Sequence, residues 1–135
     1  MADRVTPGTR SRIMAAVKQK DTSVELRIRR ELHRRGYRYR LHAKNLPGRP
    51  DIVFPARRKV IFVHGCFWHG HDCSKGALPK SRIDYWSEKI SGNRARDMRT
   101  IGELSRMGWT SLVVWQCELQ EWDMLWGRIL TFLES

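Results

Sequence analysis

A chain of 135 residues, 41% of them apolar, can close one hydrophobic core and is short for two domains. Its 26 Lys and Arg against 14 Asp and Glu leave a formal charge of +12, which argues against a basic partner and invites a polyanion. The excess is N-terminal: residues 1–60 carry 17 basic and 5 acidic side chains, and residues 61–135 carry 9 of each. Neutralised phosphates release counterions, so nucleic acid is the expected partner. Charge alone does not separate DNA from RNA. With no membrane-length apolar span and no secretory pattern in "MADRVTPGTR", the chain is expected to be soluble, cytoplasmic and free of membrane contacts. Three Cys in a reducing compartment suit thiols or metal ligands better than a disulfide framework.

In chain order, "TRSRIMAAVKQK" can form a short helix. In "DTSVELRIRRELHRRG", Thr22-x-x-Glu25 is a capping box, Val24, Ile28 and Leu32 recur at helical spacing, and Gly36 is a stop. "YRYRL" alternates as a half-exposed strand. After the turn-like "KNLPGRP", two apolar runs, "DIVF" and "KVIFV", flank "PARR" as a hairpin of buried strands. Further on, "SRIDYWSEKI" and "NRARDMRTIGELSRMG" read as two helices, with Gly92 and Gly108 as breaks. "TSLVVW" reads as another buried strand. "QEWDMLWGRILTFLES" closes the chain as a helix with Trp122, Leu125, Trp126, Ile129 and Leu133 inward. The sum is one α/β domain over 1–135 with a mixed central sheet.

Between the hairpin and the next helix lies "VIFVHGCFWHGHDC". Cys66, His71 and Cys73 form Cys-x4-His-x-Cys, and the remaining cysteine, Cys117, follows the strand "TSLVVW". Neighbouring strand ends lie close in space, so these four residues can complete a tetrahedral Zn²⁺ site. With no open position, such a site is structural. The competing reading makes the two outer cysteines small buried hydrophobes. His64 and His69 are left over. Asp51 opens a strand of the same hairpin, which brings a carboxylate and an imidazole to one sheet edge, where Mg²⁺ and a proton carrier can act on a phosphate.

The stretches "LPGRPDIVF", "VIFVHGCFWHGHDC", "YWSEKISGNRARD" and "LVVWQC" together resemble the very-short-patch-repair (Vsr) DNA mismatch endonucleases over roughly residues 9–118. The resemblance implies a restriction-endonuclease-like fold. In that fold an Asp on one strand and an acid-x-Lys pair on the next usually bind the metal; here Phe62-Val63-His64 replaces the pair, as is typical of this branch. It implies Asp51 as the catalytic Mg²⁺ ligand and the main-chain carbonyl of Val63 as the second. It implies His64 and His69 as active-site histidines, His69 carrying the proton, and Glu25 as an acid near the metal. Cys66, His71, Cys73 and Cys117 match the family's structural Zn²⁺ ligands.

For Phe67, Trp68 and Trp86 the resemblance implies wedges inserted beside a mismatch from one groove, with Met14 approaching from the other; core packing is the competing reading, above all for Trp86. The implied substrate is double-stranded DNA with a T·G mismatch left by 5-methylcytosine deamination, nicked on the T strand to begin very short patch repair. A monomer in the bacterial cytoplasm, associated with the nucleoid, is expected, with room for other mismatch-repair proteins as partners. Two alternatives stand beside it: a restriction-type nuclease that cuts both strands, and a non-catalytic zinc-stabilised DNA-binding module.

Overall fold

The computed structural model describes residues 22–73 and 76–135. The expected helix over 9–20, including Met14, lies outside those residues. Helix α1 (Ser23–Arg34) begins as its capping residue requires, with Thr22 Oγ1 accepting the Glu25 N–H at 3.3 Å. It stops at Gly36, where the Tyr37 N–H returns to Leu32 O at 3.0 Å. Val24, Ile28 and Leu32 are buried.

Strand β1 (Arg40–Leu41) is shorter than the alternation over 37–41 suggests. Tyr37 and Tyr39 instead lay their ring edges on Phe54, at 6.5 and 6.3 Å, and fill core space rather than a ladder. Strands β2 (Ile52–Phe54) and β3 (Lys59–His64) form the expected antiparallel hairpin, buried throughout, with Ile52 opposite Ile61. Both sheet faces are covered, which is why these strands read as unbroken apolar runs. Ile52, Phe54, Ile61 and Val63 face one core with α1, and Val53, Val60 and Phe62 face the other. Lys59 opens β3 at 9% exposure because its ammonium donates to Phe132 O at 2.6 Å and Ser135 O at 2.9 Å, at the carbonyl end of the last helix.

Helix α2 (Ile83–Arg106) is the main departure from the sequence reading, since one helix of 24 residues runs straight through Gly92. A mid-helix Gly costs about 1 kcal/mol relative to Ala. Trp86, Ile90 and Leu104, all buried on one face, lie on both sides of it and hold the helix across that weak point. Gly108 does end the helix, the Trp109 N–H returning to Leu104 O at 2.9 Å.

Strand β4 (Thr110–Trp115) pairs parallel with β3, Ile61 opposite Leu112 and His64 opposite Trp115. It was expected to be buried, but only Val114 is, because the order β1-β2-β3-β4 makes β4 an edge strand. A 3-10 segment (Gln116–Glu121) leads into helix α3 (Trp122–Glu134), which buries Leu125, Trp126, Ile129 and Leu133. Trp122, expected inward, is half-buried, stacked on Trp126 under the guanidinium of Arg27.

The result is a mixed four-stranded sheet with α1 and α3 on one face and α2 on the other. Because β2 runs against β3 while β4 runs with it, the start of β2 and the ends of β3 and β4 share one edge. Asp51, His64, the loop after β3 and Cys117 all sit there.

Candidate active site

Asp51 stands just before β2, 8% exposed, its Oδ2 accepting the Val63 N–H at 2.7 Å. Burial pushes its carboxyl up to about 7, against the pull of the Val63 N–H, and the Glu25 carboxylate adds to the rise. A carboxyl raised this way gains its charge when a cation binds beside it.

On one side of Asp51 are Glu25 and His42. Glu25 is fully buried; its Oε2 lies 2.8 Å from His42 Nε2 and 3.3 Å from the Arg29 guanidinium. The capping-box spacing therefore does not account for all of Glu25, since its carboxylate reaches the residues around Asp51. Glu25, His42 and Asp51 offer three donor atoms within 4.8 Å of one another, a set of two carboxylates and an imidazole that suits a divalent cation.

On the other side, His64 and His69 stack with ring centroids 3.7 Å apart and planes 5° from parallel. His69 Nδ1 lies 2.6 Å from Asp97 Oδ2, and His64 Nδ1 lies 4.0 Å from the same oxygen. Burial, with His69 beside it, lowers the His64 imidazole to about 4, so it is neutral at working pH. His64 Nδ1 is buried and has no hydrogen-bond partner among the described residues. A cavity of about 410 Å³ joins these groups, lined by Asp51, His64, His69 and Asp97 with Arg49 and Arg96 at its rim.

Cys66, His71, Cys73 and Cys117 also converge, their donor atoms within 4.8 Å of one another and His71 Nδ1 3.5 Å from Cys117 Sγ. Three sulfurs and one imidazole at that spacing fit a tetrahedral zinc ion. Burial pushes the Cys66 thiol up to about 12 and raises Cys117 too, so a metal bound here must displace protons. Trp115 stacks on His71 at 4.2 Å and fixes the plane of the ring.

On the loop after β3 and the helix beneath it, Phe67, Trp68 and Trp86 touch edge-to-face, with centroids 5.1, 5.3 and 5.9 Å apart. Phe67 and Trp68 are half-buried on the loop, while Trp86 is 6% exposed beneath them. The loop is tied to α2 by Asn93 Nδ2, which donates to Trp68 O at 2.8 Å.

Residues 2–75 match the family model described as DNA mismatch endonuclease Vsr. A Type II nicking enzyme, V.XorIIP, of Xanthomonas oryzae pv. oryzae is 55% identical over 134 residues, covering 99% of this chain and 98% of the relative. The DNA mismatch endonuclease Vsr of Escherichia coli K12 is 43% identical over 97% of this chain and 84% of its own length. The Neisseria meningitidis nicking enzyme V.NmeAIP is 44% identical over 89% of this chain and 86% of its own.

The chain belongs to the Vsr DNA mismatch endonuclease family. Of the residues expected from the Vsr resemblance, Asp51, Val63, His64, His69 and Glu25 surround or adjoin one cavity, the four zinc-type ligands form a second cluster, and Met14 lies outside the described residues. Sequence reading missed Asp97 and His42. Asp97 had a signal, as the lone carboxylate within the cationic run "NRARDMR". His42 had none, because only the β1–β2 pairing brings it to Glu25, its N–H donating to Asp51 O at 3.0 Å.

Proposed function

We propose that this Vsr-family DNA endonuclease nicks one strand of double-stranded DNA beside a T·G mismatch, with Mg²⁺ at Asp51 and a structural Zn²⁺ at Cys66, His71, Cys73 and Cys117. The observation that carries the reading is the meeting of Asp51, His64, His69 and Asp97 in one cavity. The mixed sheet with helices on both faces supports the restriction-endonuclease-like assignment.

Asp51 and the main-chain carbonyl of Val63 would hold the Mg²⁺, with Glu25 and His42 beside them. The bound cation supplies positive charge against that developing on the phosphate. With its Nδ1–H donated to Asp97, His69 keeps Nε2 free to take a proton from the attacking water. The water oxygen forms the new bond to phosphorus as the bond to the leaving sugar oxygen breaks, and that oxygen takes up a proton from a solvent water. His64, neutral and stacked on His69, offers a ring nitrogen to water or phosphate. Phe67 and Trp68 wedge into the stack with Trp86 behind them, and a weakly stacked mismatch lowers the cost of opening it. Met14 belongs to an N-terminal DNA-contacting segment of about 1–20 within a single domain, acting as a monomer.

The test is an end-labelled duplex, mismatched or matched, incubated with and without Mg²⁺. Nicking of the T strand of the T·G duplex only when Mg²⁺ is present is expected, with about one zinc per chain by elemental analysis. Double-strand cuts in matched DNA would assign the restriction-type activity instead, and binding without cleavage would leave only a DNA-binding module.

A further inference from the structure

The loop before β2 carries Arg49 into the same cavity. Leu46-Pro47-Gly48-Arg49 is a tight turn, the Arg49 N–H donating to Leu46 O at 3.2 Å, with Gly48 at φ +73 in its third position. Gly48 is also pressed against the long helix: a Cβ there would overlap Thr100 Cγ2 and lie 3.2 Å from the Phe62 ring. The turn is thereby locked to both α2 and β3. Arg49 then takes φ +48, a left-handed conformation adopted by few residues other than glycine, and does so directly before Pro50, which itself restricts the preceding residue. Neither the turn nor the β1–β2 pairing needs an arginine at this position.

That strained backbone presents an exposed side chain at the cavity that holds Asp51, His69 and Asp97. Among the described residues the Arg49 guanidinium makes no hydrogen bond or ion pair, although two carboxylates line the same cavity. Arg96, at the same rim, is by contrast held by Asn93 Oδ1 at 2.9 Å. A cation kept strained, open and unpaired beside a hydrolytic centre suits an oxyanion that arrives with the substrate.

We propose that Arg49 is a catalytic residue that grips the phosphate to be cut, its guanidinium donating two hydrogen bonds to the non-bridging oxygens. The fork matches phosphate geometry, and the contact strengthens as charge builds on those oxygens during attack. This inference rests on the mismatch-nicking reading.

Arg49→Ala, Arg49→Lys and Arg49→Gly are compared with the wild type in single-turnover nicking of the T·G duplex in Mg²⁺. If the wild type itself does not nick, the underlying reading fails. If it does, Arg49→Ala is expected to be slower by about 100-fold at saturating enzyme. Arg49→Lys should recover only part of that loss, having the charge without the fork. Arg49→Gly relieves the left-handed strain and should melt no lower than the wild type while being as slow as the alanine variant. Nicking of either small variant at the wild-type rate, or a lower melting temperature with an unchanged rate in the folded fraction, would overturn the proposal.

A second measurement locates the contact without relying on activity. Once the nick is mapped with wild-type enzyme, binding in metal-free buffer is measured on a duplex whose scissile phosphate is an uncharged methylphosphonate. The neutral linkage should weaken wild-type binding by about 10-fold and leave Arg49→Ala unchanged. Equal losses in both proteins would move Arg49 off that phosphate.

Discussion

At the scale of single residues, the site is built from groups whose ordinary chemistry has been shifted by burial. Asp51 titrates near 7 in the folded chain and at 3.8 in the unfolded one. The folded state therefore favours its protonated form, and the stability this group contributes is complete below about pH 4 and lost as pH rises through 7. In chelator, Asp51→Asn should accordingly melt higher than wild type at pH 8, by up to about 4 kcal/mol, with the gap closing toward pH 4. Adding Mg²⁺ should raise the melting temperature of the wild type and not of the variant. A pH-independent gap in the thermal melts would refute the burial argument. Asp97 is tested through its partner. Asp97→Asn keeps the shape and removes the charge that orients His69 Nδ1–H, so single-turnover nicking should fall by about 100-fold with mismatch binding within about 2-fold of wild type.

At the scale of elements, legibility followed the range of the forces involved. The first helix was readable to the residue, because Thr22 and Gly36 act on their own neighbours. The β2–β3 hairpin was readable because both of its faces are buried and its runs are short. Gly92 misled for the opposite reason: a local propensity of about 1 kcal/mol was set against the burial of Trp86, Ile90 and Leu104, which sequence spacing across a supposed break does not reveal. Gly92→Ala tests that explanation directly. The position is exposed, helical and open, with nothing within 4 Å of an added Cβ. The substitution should stabilise the protein by about 0.5–1 kcal/mol, read as a higher melting temperature, and a loss of stability would mean that the helix needs a break there. The zinc-type cluster was legible because three of its four residues lie within eight positions, and only Cys117 required the parallel pairing of β3 with β4. The His69–Asp97 pair joins residues 28 apart through the docking of a helix on a loop, and nothing in local spacing announces that.

At the scale of the whole molecule, general attraction to DNA and recognition of a mismatch are separable. Attraction comes from a charge of +12 concentrated in residues 1–60, a salt-dependent term that acts on any duplex. Recognition, in the proposed reading, comes from Phe67 and Trp68, which stand half-buried over Trp86 on a loop tied to α2 through Asn93 and enclosed by the zinc-type ligands. An aromatic ring stacked on a base contributes about 1–3 kcal/mol, and only where the stack opens cheaply enough to admit it. Trp68→Ala should therefore weaken binding to T·G duplex by about 10-fold or more while matched-duplex affinity stays within about 3-fold, because charge alone governs the latter. The salt dependence of log K should keep the same slope in wild type and variant, since no phosphate contact is removed. Trp68 also touches Phe67 and Trp86, so the melting temperature is measured alongside. Anisotropy titrations across a salt series on both duplexes decide the matter: equal losses on the two, accompanied by a lower melting temperature, would make Trp68 a support for the loop and move mismatch recognition elsewhere on the protein.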